Sequence, residues 1–245
     1  MKQKKAAAII IGDEILTGKV RDENTFLLSK LLFKQGLYLS KVEIIPDVVD
    51  EIAAVVRRLS NKFDYVFTSG GIGPTHDDKT YESVAKAFEL QLEYRENITE
   101  KIVAFHNQSL SNIKLTKFQK SMLVFPQPCE IIPTHALWLP LVVVNNVYIF
   151  PGVPKLFANL LYAVKDRFSG YVKERILVYT QKAESKIAAI LKKIQMQYPD
   201  VAIGSYPKYH YDLYSVMISL ECFNKEMVKE VANKVEIAID GFRSL

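Results

Sequence analysis

The chain has 245 residues, 49% of them hydrophobic and 24% charged, with a formal net charge of +5. That length suits one large domain or a medium domain with a small companion, and the composition is that of a chain with a packed core. The lysines are scattered and no arginine-rich stripe with interleaved aromatics occurs, so the charge leaves no footprint for nucleic acid.

Lys4 and Lys5 precede a continuous apolar run, Ala6 to Ile11, that ends at Gly12. The run is too short to span a membrane and has no signal-cleavage pattern, so it reads as a strand buried on both faces of a cytoplasmic protein with no membrane partner. Asn24 to Gln35 has helical spacing, with Leu27, Leu28, Leu31 and Leu32 on one side and Gly36 as its stop. Tyr38 to Ile45 reads as a second strand. Asp47 then stands where a helix cap belongs, and Ile52, Val55, Val56 and Leu59 form a buried helical face. Asp64 to Ser69 is a third strand, running straight into Gly70, Gly71, Ile72, Gly73 and Pro74.

This alternation predicts a three-layer α/β/α architecture with a mostly parallel sheet. Right-handed crossovers bring the strand ends to one edge, where open sheets of this kind bind ligands. Further on, Thr80 to Phe88 and Asn97 to Asn107 read as helices, with Asp78 as a cap before the first. Pro126 to Pro140 reads as an irregular excursion. Leu141 to Val144 and Val147 to Phe150 form a hairpin turned at Asn145-Asn146. Pro151 to Pro154 is a turn, and Lys155 to Phe168 is a helix stopped by Gly170.

Residues 171–245 read as a separate small α+β domain, leaving 1–170 to the first. Its elements are a strand (Arg175 to Thr180), a helix (Glu184 to Gln197), two strands (Val201 to Tyr206, Tyr211 to Glu221) and a final helix from Lys225. Cys129 and Cys222 are the only cysteines. They lie far apart and in no metal-ligand spacing, which fits a reducing compartment and gives neither a disulfide framework nor a zinc site.

The Gly70-Gly71-Ile72-Gly73-Pro74-Thr75 loop carries the sharpest chemical signal. Glycines let the backbone turn tightly and leave amides free to face an anion, and the positive end of the following helix favours phosphate. Asp13, Glu14, Asp47, Asp77 and Asp78 crowd the same edge. Carboxylates repel phosphate, so a bridging divalent cation (Mg²⁺, Mn²⁺ or Co²⁺) held by Asp13, Asp47 and Asp78 is expected to reconcile them. The competing reading makes each acid a cap or a solvated charge. His76 lies in the loop, whereas His106, His135 and His210 have no ligand spacing. Trp138 and the tyrosines at 206, 209, 211 and 214 read as core or domain-contact residues.

These motifs carry a family resemblance. Gly12-Asp13-Glu14-Ile15-Leu16-Thr17-Gly18, Asp22-Glu23-Asn24, Asp47 and Thr68 through Asp78 resemble the molybdopterin-binding (MoaB/MogA-like) domain. They are similar in particular to its version in the competence/damage-inducible protein CinA and in eukaryotic-type FAD synthases. Val147 to Pro154 resembles that family's second signature. Ala183 to Ile187 and Ile203 to Tyr206 resemble the small domain that follows. Glu23 departs from the family's usual threonine, and residues 134–146 lack CinA's Asn/Gly-rich segment.

The resemblance implies catalytic roles for Asp47 and Asp78. It implies ligand contacts from Gly12, Asp13, Glu14, Thr17, Asn24, Ser69, Gly70, Gly71, Gly73, Pro74, Thr75, Thr80, Pro151 and Gly152. The implied ligand is a nucleotide or pterin, and the implied assembly a homodimer or homotrimer. The expected activity is metal-dependent hydrolysis of the diphosphate in an ADP-ribose- or FAD-like dinucleotide. A molybdopterin- or nucleotide-binding module without turnover, and a remnant with an idle site, are the alternatives. Neither CinA's amidohydrolase domain nor the adenylyltransferase domain of FAD synthases is recognised, so nucleotide deamidation and FAD synthesis are not expected.

Overall fold

A computed structural model describes residues 3–96, 98, 116–133, 140–208 and 213–243. The predicted helix Asn97 to Asn107 lies almost wholly outside these residues, as do His106, His135, Trp138, Tyr209, His210 and Tyr211. The chain divides into two compact units, Met1–Gly170 and Tyr171–Leu245.

In the first unit a six-stranded sheet runs β2 (Tyr38–Ile45), β1 (Lys5–Ile11), β3 (Tyr65–Ser69), β8 (Val147–Phe150), β7 (Leu141–Val144), β6 (Glu130–Ile132). The β1–β2, β1–β3 and β3–β8 pairs are parallel, and β7 is antiparallel to both its neighbours. The alternation of side chains across a strand makes the layers visible in β1. Ala7, Ile9 and Ile11 join one core, with Ile52, Val56 and Leu59 of α3 (Val49–Ser60) and Val84 of α4 (Thr80–Phe88). Ala6, Ala8 and Ile10 join the other, with Leu28 and Leu32 of α2 (Asn24–Lys34) and Phe157 and Leu161 of α6 (Pro154–Ala163). A strand covered on both faces tolerates no alternating polar residue, which is why Ala6 to Ile11 is apolar throughout.

The hairpin is built as the sequence predicts. Val144 pairs with Val147, and Asn145 takes φ 54° at the turn. Asn146 ties the turn inward, its Nδ2 donating to the Ser60 and Phe63 carbonyls at 3.0 and 2.8 Å. Of the irregular excursion predicted over Pro126 to Pro140, residues 134–139 lie outside the described residues, and the part before them holds two short strands. After α5 (Lys117–Ser121), β5 (Val124–Gln127) pairs antiparallel with β4 (Gln91–Tyr94), and β6 joins the main sheet. Strands of three or four residues carry too little pattern to announce themselves, and Pro126 in β5 argues against a strand on sequence grounds.

The second unit is a three-stranded antiparallel sheet, order β10 (Ala202–Pro207), β11 (Val216–Cys222), β9 (Glu174–Thr180). Helices α7 (Glu184–Gln197) and α8 (Lys225–Ala238) bury Ile187, Leu191, Val231 and Val235 against Val178, Ile218 and Leu220. The Asn224 side chain caps α8, accepting from the Glu226 and Met227 amides at 3.0 and 3.1 Å. Among the described residues no helix is long and apolar enough to cross a membrane.

Candidate functional site

The site assembles where β1, β2, β3 and β8 end. After β1, Gly12 donates its amide to the Ile45 carbonyl at 3.1 Å, holding the ends of β1 and β2 together. The chain then makes α1 (Asp13–Leu16), a single helical turn that the sequence did not announce. The Asp13 amide donates to Asp47 Oδ2 at 3.0 Å. Asp47, just past the end of β2, is thus fixed beside the first loop rather than at a helix start. Its predicted capping role is not realised: the cap position of α3 is Val48, with no side-chain cap bond.

Gly70 shows why this crossing admits no side chain. Its φ is +111°, and a Cβ there would sit 2.1 Å from the Ile11 carbonyl oxygen, which is backbone and cannot yield. Gly70 also donates its amide to the Phe150 carbonyl at 3.1 Å, joining β3 to β8. A Cβ on Gly71 would lie 3.5 Å from Asp47 Oδ1, so the glycine loop and Asp47 face one another. Asp13, Asp47, Gly70, Gly71 and Gly152 therefore meet at one edge.

Asp78 occupies the same loop, and the helix cap expected of it is not made. Its Oδ1 accepts from the Gly73 amide at 2.6 Å, and its Oδ2 accepts from the Thr75 amide and hydroxyl at 2.8 and 2.6 Å. Both oxygens are thereby engaged in closing residues 73–78 into a ring, and α4 begins after Lys79 without a side-chain cap. Of the loop amides expected to face an anion, those of Gly70, Gly73 and Thr75 have partners within the protein. Thr80, predicted to touch ligand, is fully buried. Its amide donates to the Gly71 carbonyl at 2.9 Å and its hydroxyl to the Gly70 carbonyl at 2.8 Å.

Ser69 and Asn24 form a buried tie. Asn24 Nδ2 donates to Ser69 Oγ at 2.9 Å and to the Gly152 carbonyl at 2.8 Å, linking the starts of α2 and α6 to β3. Asp22 accepts from the Asn24 and Thr25 amides, fixing the first turn of α2. Thr17 donates its hydroxyl to the Asp13 carbonyl at 2.8 Å. Glu14, Pro74, Thr75, His76 and Gly152 are exposed, whereas Gly12 and Pro151 are buried. Arg21, which sequence reasoning passed over, lines the same cleft as Glu14, Asn24, Ser69 and Gly152. Its position immediately before Asp22-Glu23-Asn24 is the signal that would have found it.

Electrostatics single out Asp47. Partial burial raises its carboxyl above the ordinary value of 3.8, and the Glu14, Asp13 and Asp77 carboxylates push in the same direction against the bond from the Asp13 amide. Asp77, fully exposed, is lowered, chiefly by the nearby Thr75 side chain. Among the described residues no group of three or more His, Cys, Asp or Glu is placed to hold a metal. The expected trio of Asp13, Asp47 and Asp78 is therefore not a preformed cage, because Asp78 is turned into its own loop.

This edge, with a glycine loop facing an acid across the ends of parallel strands, is that of an α/β domain of the doubly wound kind. A family model described as "Probable molybdopterin binding domain" matches residues 7–168, and one described as "FAD synthase, middle domain" matches residues 175–241. The chain belongs to the molybdopterin-binding-domain family. It is 31% identical over 269 residues to a "Probable FAD synthase" of Caenorhabditis elegans, covering 98% of this chain and 51% of that one. A protein of Archaeoglobus fulgidus is 32% identical over 235 residues, covering 96% of this chain and 98% of its own length. Among solved structures, the protein CinA of unknown function from Thermoplasma acidophilum matches with TM-score 0.60 and 30% identity, over 68% of this chain and 99% of that one. The chain spans about half the length of the FAD synthase relatives it matches.

Proposed function

We propose that the first unit hydrolyses the diphosphate of an ADP-ribose- or FAD-like dinucleotide with the help of a divalent cation. The observation that carries this reading is Asp47: a carboxylate raised above its ordinary value, placed against Gly71 where the strand ends meet. Perturbed carboxyls in a cleft are candidates for proton transfer. In this reading Asp47 takes a proton from water attacking the adenosine-side phosphorus, and the bridging P–O bond of the diphosphate breaks. AMP forms while the other half departs as its phosphate monoester, ribose 5-phosphate from ADP-ribose or FMN from FAD. The remaining amides of the glycine loop meet phosphate oxygens, and Asp78 acts on them indirectly by holding the loop's shape. Similarity to FAD synthases supports a nucleotide as the ligand.

The acids fit a hard cation only in an open arrangement. Mg²⁺ typically takes one or two carboxylates and completes its shell with substrate phosphates and water. Asp13 would hold it, leaving Asp47 free to act as the base, and when bound it would neutralise charge on the diphosphate. AMP release from FAD and ADP-ribose, measured with Mg²⁺, Mn²⁺ and Co²⁺ and again with excess chelator, tests the proposal. Turnover that chelator abolishes is expected. No AMP from any dinucleotide with any of the three cations would overturn it.

A second reading, a nucleotide- or pterin-binding module without turnover, is favoured by the engagement of Asp78 and the absence of a three-acid group among the described residues. It requires ligand binding without product in the same assay. A symmetric dimer or trimer belongs to either reading. The eight-residue β2 forms an outer edge of the sheet with Tyr38, Val42 and Ile44 exposed, and such edges invite a partner. Light scattering on the full chain reads the assembly directly.

A further inference from the structure

Two cavities adjoin beside the rim. The inner one, about 50 Å³, is lined by Ser69 and Gly152 where β3 and β8 end. That is little more than the roughly 30 Å³ share of one water molecule, so it admits no ring. The outer one, about 460 Å³, lies at the starts of α2 and α6 and is lined by Phe26, Leu27, Lys155 and Ala158. Its volume falls within the range of about 300–1,000 Å³ usual for small-molecule sites. Arg21, Asn24 and Pro154 line both, so the two form one groove leading away from the glycine loop.

Three side chains give the outer groove its chemistry. Phe26 is 68% exposed, and a ring left in water along a cavity offers its face to another planar group. The exposed Lys30 ammonium stands 5.2 Å from the ring centre and can swing aside. Arg21 and Lys155 are the only cations lining either cavity. Both are exposed, and neither is held in an ion pair. Asp22 beside them is engaged, accepting from the Asn24 and Thr25 amides at 3.0 and 3.1 Å, which leaves Glu23 alone to offset the two charges. The rest of the rim carries Asp13, Glu14, Asp47 and Asp77, so an anionic group is drawn to the Arg21 side. None of Arg21, Phe26 and Lys155 is among the ligand contacts that the family resemblance implies.

We propose that the outer groove is the subsite for the half of the dinucleotide that departs opposite AMP, with a planar ring lying on Phe26 and a phosphate facing Arg21 and Lys155. The departing half of ADP-ribose has the phosphate but no ring, so the groove favours a flavin dinucleotide. This inference rests on the hydrolytic reading above and narrows its substrate class.

The test is calorimetric binding of FMN, riboflavin and ribose 5-phosphate to the 245-residue chain and to two variants, Phe26→Ala and Lys155→Gln. Both side chains are exposed, so both variants are expected to fold. FMN is expected to bind at least about tenfold more tightly than ribose 5-phosphate, and at least about fivefold more weakly to Phe26→Ala than to wild type. Lys155→Gln is expected to weaken FMN at least about threefold and riboflavin, which has no phosphate, less than about twofold. FMN that binds no tighter than ribose 5-phosphate, or equally well to Phe26→Ala, overturns the proposal. AMP release with equal kcat/KM from FAD and ADP-ribose overturns the subsite and leaves hydrolysis standing. FMN binding with these sensitivities, but no AMP from either substrate, overturns hydrolysis and leaves the subsite standing.

Discussion

The two units solve the burial of polar groups in opposite ways. In the second unit the buried polar side chains serve the fold: Thr180, fully buried at the end of β9, donates its hydroxyl to the Ile239 carbonyl at 2.9 Å and closes the C-terminal turn. In the first unit Asn24, Ser69, Thr80 and Asp78 are drawn to one edge, where they tie loops from distant parts of the chain into a fixed rim. That rim also holds a carboxylate raised above its ordinary value and the Asn24 amide oxygen, buried without a donor. A parallel sheet collects the ends of its crossovers at one edge, where open sheets of this kind bind ligands.

The sharpest way to break this comparison is Asp47→Asn. If Asp47 is the base, AMP release falls by about 10²- to 10⁴-fold. Stability moves the other way. Because the folded-state value is raised, the folded chain binds its proton more tightly, and stability is lost as pH rises from the ordinary 3.8 through the folded value. Above that window the penalty is fully present, so Asp47→Asn is expected to melt higher than wild type at about pH 7. The gain should vanish at about pH 3, where Asp47 is protonated in the folded and the unfolded chain alike. Thermal melts at the two pH values check the sign.

Glycine substitutions probe the rim next. Gly70→Ala forces a Cβ against the Ile11 carbonyl at positive φ and is expected to cost about 3 kcal/mol, read by urea unfolding. In the second unit Gly204→Ala meets only the ring of Tyr206, which is half-exposed and can swing aside, so less than about 1 kcal/mol is expected. Thr180→Val falls between them at about 1–2 kcal/mol, since it leaves the buried Ile239 carbonyl without its hydroxyl donor.

Much of this contrast is legible in the sequence. The continuous apolar runs of β1 and β3, the leucine face of α2 and the glycine loop place the edge correctly, because burial on both faces leaves a strong signature. The roles of Asp47 and Asp78 do not show. An acid before a helical pattern looks like a cap, and only the folded loop reveals that Asp78 reaches back to Gly73 and Thr75. Asn24 binds partners 45 and 128 residues away, a relation no local pattern encodes. β4, β5 and β6 escape for the opposite reason, being too short to pattern at all.

The smallest effect expected is on the outer face of the first unit. Arg58 donates to both Glu43 oxygens, at 3.0 and 2.6 Å, and that bond holds the Glu43 carboxyl below its ordinary value. Its contribution is present above the ordinary value of 4.5 and is lost as pH falls through the folded value. Arg58 is half-exposed, so Glu43→Gln is expected to cost less than about 1 kcal/mol near neutral pH and nothing in acid, without touching turnover.

The most direct measurement compares AMP release from ADP-ribose by three versions of this chain under one set of conditions: wild type, Asp47→Asn and Thr180→Val. Turnover that survives in Thr180→Val and disappears in Asp47→Asn, with both variants folded, is the result this account requires. Wild-type turnover in Asp47→Asn would contradict it.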